Sequence, residues 1–420
     1  MKNKIHFLIF ILFSISLSSQ TVTTFAGSCS EGNHGLINGN GGAARFYNPR
    51  AIAVDSYGAF YVADSNNNCV RKISANGNVT TVAGSSSNHP FGVAVDIIGN
   101  VYISDTFNHR ILKIDVGSST SHVLAGSGVT GNADGMSINA EFNTPMGITV
   151  DALGNVYVAD SYNNRIRKID SSGLVTTFAG SSQGNLNAIG IAAKFNAPTG
   201  LAIDELGNVF VADRNNNQIK KIEINGVVST YSGNGIYGDV DGTGSLAQFS
   251  GPIGLARDSH NNIYVVSNSS NLIRKISGTG EVSTIAGFSG VWGSCINGIG
   301  TNAQFLQPNG LIVNASDDVF VADTGNNTIR KISMPLSNNN YDLENQISIS
   351  PNPVNSSVEI KINHTTGATI TIFDINGRLL QTEIITEKNS LINIVSLSKG
   401  LYLLNITTSK FTISKKIVKE

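Results

Sequence analysis

Only three of the 420 residues are cysteine, and they stand far apart at Cys29, Cys69 and Cys295. No disulfide framework can be built from three, and no pair has the spacing of a zinc site. Charge is also scarce: Asp, Glu, Lys and Arg make up 14% of the chain, against roughly 25% in ordinary soluble proteins. The 28 Lys and Arg nearly cancel the 29 Asp and Glu, leaving a formal net charge of −1. A broad basic face for nucleic acid would leave a positive excess, so that class of partner is set aside. Sustained apolar runs are missing apart from Ile5 to Phe13, which falls short of the ~20 residues of a permanent membrane helix. What is plentiful is glycine, at 44 positions, with 40% hydrophobic residues. Many turns between short strands fit that balance, which makes this an all-β chain.

Both ends read as addressing segments. Lys2 and Lys4 precede the apolar run, and small polar residues from Ser14 to Gln20 follow it. This is the pattern of a secretory signal peptide over residues 1–20. With that segment removed, no integral membrane span is expected. At the other end, after a linker at 335–346, residues 347–420 change character. They hold Ser350-Pro351-Asn352-Pro353, the strand Ala368 to Phe373 running into Asp374-Ile375-Asn376-Gly377, then Ser398-Lys399-Gly400-Leu401-Tyr402 and the basic end Lys415-Lys416. Alternating apolar positions between turns predict a small β-sandwich. In order, these motifs resemble the C-terminal sorting domain of proteins exported by the type IX system of Bacteroidota. The resemblance implies handling by that secretion machinery and delivery outside a Gram-negative cell, as a secreted or surface protein.

Between the ends, over residues 21–334, one phrase recurs six times. Its clearest copy runs from Phe142-Asn143-Thr144-Pro145-Met146-Gly147 through Asn155-Val156-Tyr157-Val158-Ala159-Asp160 to Ile166-Arg167-Lys168-Ile169. Pro49, Pro90, Pro145, Pro198, Pro252 and Pro308 mark the starts. A closing Val-Thr-Thr-Phe-Ala-Gly phrase ends each unit except the last, and its missing copy is Val22 to Gly27. Four strands per unit at this period give a propeller blade. The prediction is a six-bladed β-propeller, with the N-terminal strand completing the last blade, followed by the small sandwich. These phrases resemble the NHL-repeat family, whose propellers serve as binding platforms, scaffolds and occasionally lyases.

Candidate chemistry is sparse. Asp64, Asp105, Asp160, Asp213 and Asp323 end the second strand of five units, with Ser267 in the other. Each is read as a structural acceptor for the Asn-rich turn that follows. The Arg-Lys pairs, such as Arg71-Lys72 and Arg167-Lys168, are read as solvated strand edges. Asp239 to Gly242 resembles part of a calcium loop but lacks the later Glu, and is read as a turn. His34, His89 and His109 are placed on the face that carries the interblade linkers, here called the top. They have no metal-ligand spacing, so no metal or cofactor is expected.

Differences between units say more. At the tip of the turn after strand two, only blades two and three carry aromatics, Phe107 and Tyr162, with His109, Arg110 and Arg165 close in sequence. The linker into blade two is the only short one, so this part of the top is expected to stand open. Aromatic faces beside cations suit a sugar ring or a peptide side chain. The expected function is a non-enzymatic binding module for a protein or glycan. A propeller lyase acting at the axial channel and a passive adhesive coat protein are the rival readings. All three cysteines are expected near the ring closure, which allows a bridge from Cys29 to either Cys69 or Cys295.

Overall fold

The computed structural model describes residues 20–29, 32–82, 87–290, 294–334, 347–362, 367–375, 378–387, 389–407 and 412–420. The leader-like segment before residue 20, the linker at 335–346 and the Asn376-Gly377 turn lie outside the described residues. Contacts divide the chain after Met334 into two units.

The first unit contains six antiparallel sheets, one per repeat. In blade three the order from the axis outward is Pro145–Val150, Val156–Asp160, Arg165–Ile169 and Leu174–Ala179. Every residue of Val156–Asp160 is buried, as expected of a strand covered on both faces. Blade six is completed from the far end of the repeat region. Thr21–Ala26 lies antiparallel to Thr328–Ser333, with Val22 opposite Ile332 and Thr24 opposite Arg330. The predicted permuted closure is therefore present. Cys29 is joined to Cys295 across the same junction, with Cα atoms 5.5 Å apart. Cys69 is a buried free thiol that desolvation, helped by the charge of Asp64, pushes up to about 12.

The long linkers are more ordered than loose covers. After crossing the top, each folds back and adds a short fifth strand to the outside of its own blade. Gly39–Asn40, Gly135–Met136, Gly242–Thr243 and Gly298–Ile299 do this in blades one, three, five and six. Blade four has the single bridge Ile189 to Val227 at the same place. Open sheet edges invite unwanted strand pairing, and these segments cover them. Blade two, with its short linker, has four strands and, among the described residues, no such cover.

Glycine is required at the axis. Gly92, Gly147, Gly200, Gly254 and Gly310 take the second place after the repeat proline in blades two to six, where blade one has Ala51. A methyl group on any of them would run into the backbone oxygen of the next blade, that of Met146, Thr199, Ile253, Asn309 or Arg50. At these five places the innermost strands approach too closely for a Cβ.

The second unit is a two-layer sandwich. One sheet holds Ile347–Ser350, Ser357–Ile362 and Asn389–Asn393; the other holds Leu379–Ile385, Ala368–Asp374, Gly400–Thr407 and Thr412–Lys419. Alternate residues such as Val358, Ile360, Ile370, Ile372, Leu404 and Ile406 form its core.

Replacing Gly147 with alanine tests the close approach at the axis. Gly147→Ala should lower unfolding free energy by about 2 kcal/mol or more, as overpacking against backbone does. Gly42→Ala, where a methyl meets nothing nearer than 3.8 Å, should be close to neutral in the same urea titration.

Candidate functional site on the top face

The top face is shaped by a polar knot repeated around the ring. The first cation of each Arg-Lys pair is not at a solvated edge, as the sequence suggested. Arg71, Arg167, Lys220, Arg274 and Arg330 are wholly buried. They occupy the third strand, one face of which lies under the linker. Arg167 donates to Asp160 at 2.8 Å, to the Glu141 and Ala133 carbonyls at 2.8 Å each, and to Asp134 at 2.7 Å. Its guanidinium also lies over the Phe142 ring, 5.1 Å from the centroid. Arg71 and Arg330 repeat the set with Asp64 and Asp323. In blade five Ser267 replaces the aspartate, and Arg274 keeps Asp241, two carbonyls and Phe249. Asp241 is therefore a clamp for a buried cation, not part of a calcium loop. Blade two has Leu112 at this position and no long linker.

The aspartates serve structure, but through longer contacts than a local turn. Asp160 accepts the Asn143 N–H, seventeen residues earlier, and the amide of Asn163, as well as Arg167. Burial raises the carboxyl groups of Asp64, Asp160 and Asp323 above the ordinary range, and hydrogen bonds and arginines oppose it. Asp213 is the outlier. Lys220 bonds to Asn185 and Asn187 at 2.6 and 2.8 Å, so Asp213 has only the Asn196 N–H and the Asn216 amide as hydrogen-bond donors. Desolvation lifts its carboxyl to about 6.

At the end of the 3-10 turn between strands two and three of each blade, one residue adopts a left-handed conformation and stitches its blade to the next. Asn68, Asn164, Asn217, Asn271 and Asn327 accept the backbone N–H of His89, Ala197, Gly251, Gln307 and Asn48. His109 is the sixth member: at φ 49° its Nδ1 accepts the Thr144 N–H. That bond is structural. Arg110 is held by Asp105 at 2.7 Å, and Arg165 donates to the Ser181 and Asn132 carbonyls. Phe107 and Tyr162 do stand out from the turns, 54% and 65% exposed. Phe107 lies 4.9 Å from the His89 ring, and among the described residues no ring contact joins it to Tyr162. Toward the bottom, Asp258, His260 and Asp317 come together, but Asp258 is occupied by the His260 and Asn262 N–H groups and the Tyr264 hydroxyl.

The sequence points to an axial channel but not to the residues that line it. A cavity of about 170 Å³ runs among the innermost strands, and Arg50, Phe91, Ile253 and Asn309 lie on its lining. Comparing the residue after each repeat proline would have singled out Arg50.

With this geometry in hand, known proteins can be compared. The Teneurin NHL domain family matches residues 22–189, the NHL repeat matches residues 195–222 and 305–332, and the secretion system C-terminal sorting domain matches residues 348–420. This is an NHL-repeat propeller with a type IX sorting domain. The NHL propeller resembles Teneurin-4 of Mus musculus, 28% identical over 76% of this chain but 13% of that protein. NHL repeat-containing protein 2 of Bos taurus is 43% identical over 22% of this chain and 14% of its own length. The chain thus spans a small fraction of both relatives. Among solved structures, an auxiliary nutrient binding protein from Bacteroides thetaiotaomicron shares the fold, with a TM-score of 0.61 at 17% identity over 75% of this chain and 76% of that one. The sorting domain of this NHL protein implies secretion by the type IX system to the cell surface or beyond.

Blade four offers a test of the knot. Because the folded carboxyl of Asp213 lies above its unfolded value of 3.8, its contribution is full below pH 4 and is lost as pH rises through 6. A shift of that size is worth about 3 kcal/mol. Lys220→Arg should give Asp213 a direct partner and recover part of that loss. Urea midpoints should therefore show a gain that is small at pH 4 and largest above pH 6.5.

Proposed function

We propose that the NHL propeller is a secreted binding module that takes a protein or glycan ligand on its top face, beside blades two and three. The observation that carries this reading is the exposed pair Phe107 and Tyr162. They occupy equivalent turn tips where the other blades have Asn66, Asn215, Ser269 and Gly325. Both rings are more than half exposed at the turn tips, and their flat faces suit sugar C–H surfaces or apolar side chains. The neighbouring groups act as supports: His109 and Arg110 are tied into the fold and hold the turn, while Arg165 fixes nearby linker carbonyls. The likeness of fold to an auxiliary nutrient binding protein is in keeping with a capture role for a surface-delivered protein.

A lyase at the axial channel would need an acid or base at the cavity. Among the described residues lining it there is no His, Asp or Glu, and the acidic clusters elsewhere are already engaged by the protein's own donors. Binding is therefore the favoured reading.

Incubating the mature propeller on glycan and protein arrays should yield a saturable ligand. Phe107→Ala and Tyr162→Ala should each weaken capture about tenfold, in line with loss of an aromatic contact of 1–2 kcal/mol. An unchanged melting temperature would show that the fold is intact, and unchanged capture would overturn the patch.

A further inference from the structure

We propose that the ligand of the top-face patch is a neutral glycan chain, laid across blades one to three on Tyr47, Phe107 and Tyr162, with Nε2 of His89 accepting a sugar hydroxyl. This assignment rests on the top-face binding role proposed above and narrows its ligand to one class.

The patch does not end at blade two. Tyr47 stands two places before Pro49, where the other blades have Asn88, Asn143, Asn196, Ser250 and Leu306. Its ring is 36% exposed. The Tyr47 carbonyl accepts the N–H of Asn66 at 3.0 Å, at the tip of the blade-one turn. The carbonyls of Asn88 and Asn143 accept the N–H groups of Phe107 and Tyr162 in the same way, at 3.2 Å each. All three rings therefore stand on equivalent junctions between a turn tip and a linker.

The junctions are also tied to one another. Asn68 at the end of the first turn accepts the His89 N–H at 2.9 Å, and His109 at the end of the second accepts the Thr144 N–H at 3.2 Å. These bonds hold the three platforms in a row across adjacent blades. Among the described residues no ring contact joins Tyr47, Phe107 and Tyr162 to one another; each of the first two pairs with a histidine instead. Separate flat faces in a row suit successive units of a chain better than one small molecule.

The histidines supply direction. His34 stacks on Tyr47 with ring centroids 4.3 Å apart, and His89 lies 4.9 Å from Phe107. Nδ1 of His89 is 3.0 Å from Oδ1 of Asn88. That oxygen only accepts, so the neutral imidazole carries its proton on Nδ1 and keeps Nε2 as an acceptor. Asn88 is oriented in turn by its amide nitrogen, which donates to Oδ1 of Asn108 at 3.5 Å. Among the described residues Nε2 has no partner, and His89 is only half-buried. An aromatic face with an acceptor at its edge matches a sugar ring, which offers C–H groups on its face and hydroxyl donors at its rim.

Charge separates the classes of ligand. Arg110 is paired with Asp105 at 2.7 Å, and Arg165 donates to the Ser181 and Asn132 carbonyls. An acidic glycan or acidic peptide would have to compete with those partners for a cation. An apolar peptide side chain would cover Nε2 and strip its water without supplying a donor. A neutral glycan meets neither penalty.

The test is calorimetry on the full chain with cellohexaose, laminarihexaose and mannohexaose as neutral probes and a hyaluronan hexasaccharide as the acidic one. Saturable binding of at least one neutral hexasaccharide is expected, with the acidic one at least tenfold weaker. Tyr47→Ala should weaken binding about tenfold, as loss of an aromatic platform does. His89→Leu should weaken it about fivefold, while His89→Gln, which restores an acceptor, should recover most of the affinity. Melting temperatures equal to the parent's would tie these losses to contact with the ligand. Loss of binding in Phe107→Ala, with full affinity in both Tyr47→Ala and His89→Leu, would uphold the patch and overturn the three-platform chain. Saturable capture of a protein with none of the neutral hexasaccharides would overturn the glycan and leave the binding role standing. Capture of neither class would remove both.

Discussion

A cation buried between a blade and its own linker is the interaction on which the architecture of this propeller rests. An arginine in the third strand is costly to take out of water without acceptors, and here the two terminal nitrogens are engaged while Nε is not. Two of those acceptors are linker carbonyls and one is a linker Asp or Asn, so the linker is drawn down over the blade. Once held there, it can run on to cover the outer edge. Phe46, Phe142, Phe249 and Phe305 form the floor on which the guanidinium lies. Blade two shows the converse within the same chain. It has Leu112 for the cation and Ser87 where the others have phenylalanine, and it has neither the long linker nor a fifth strand.

This dependence links construction to function. Five covered blades and one bare one leave the top face uneven, and of the two turn-tip aromatics Phe107 belongs to the bare blade and Tyr162 to the covered blade beside it. The axial mouth is governed by a different constraint, the close approach of the innermost strands. Glycine narrows the neck in five blades, and Arg50, Phe91, Ile253 and Asn309 lie on the lining of the cavity. Variation at the turn tips alters the ligand surface with little effect on the blades, which is how a repeat protein can change specificity on a fixed frame.

Much of the frame was legible in the residues. Six prolines, six closing phrases and a displaced first copy implied six blades and a strand-exchanged closure, and the sandwich was implied by alternation around Val358–Ile362 and Ala368–Phe373. The buried cations were not legible as such, because Arg-Lys in a strand looks the same whether its first member faces water or a linker. The signal that separates the cases is co-occurrence: Phe three places before the proline, an Asp or Asn in the linker, and an Arg or Lys in strand three stand together in five units and are missing together in the sixth. The sequence puts His109 beside the candidate ligand site, and its place among the interblade asparagines shows only when the turns are superposed.

The most direct measurement of the central claim is amide hydrogen exchange on Arg167→Met. The linker amides of Gly126, Ser127, Gly131 and Glu141 bond within the segment that Arg167 holds. If the buried cation fixes the linker, their exchange should accelerate by about a hundredfold while amides in Val156–Asp160 keep their protection. Uniform acceleration across the whole blade, or a linker that exchanges as slowly as before, would contradict the account.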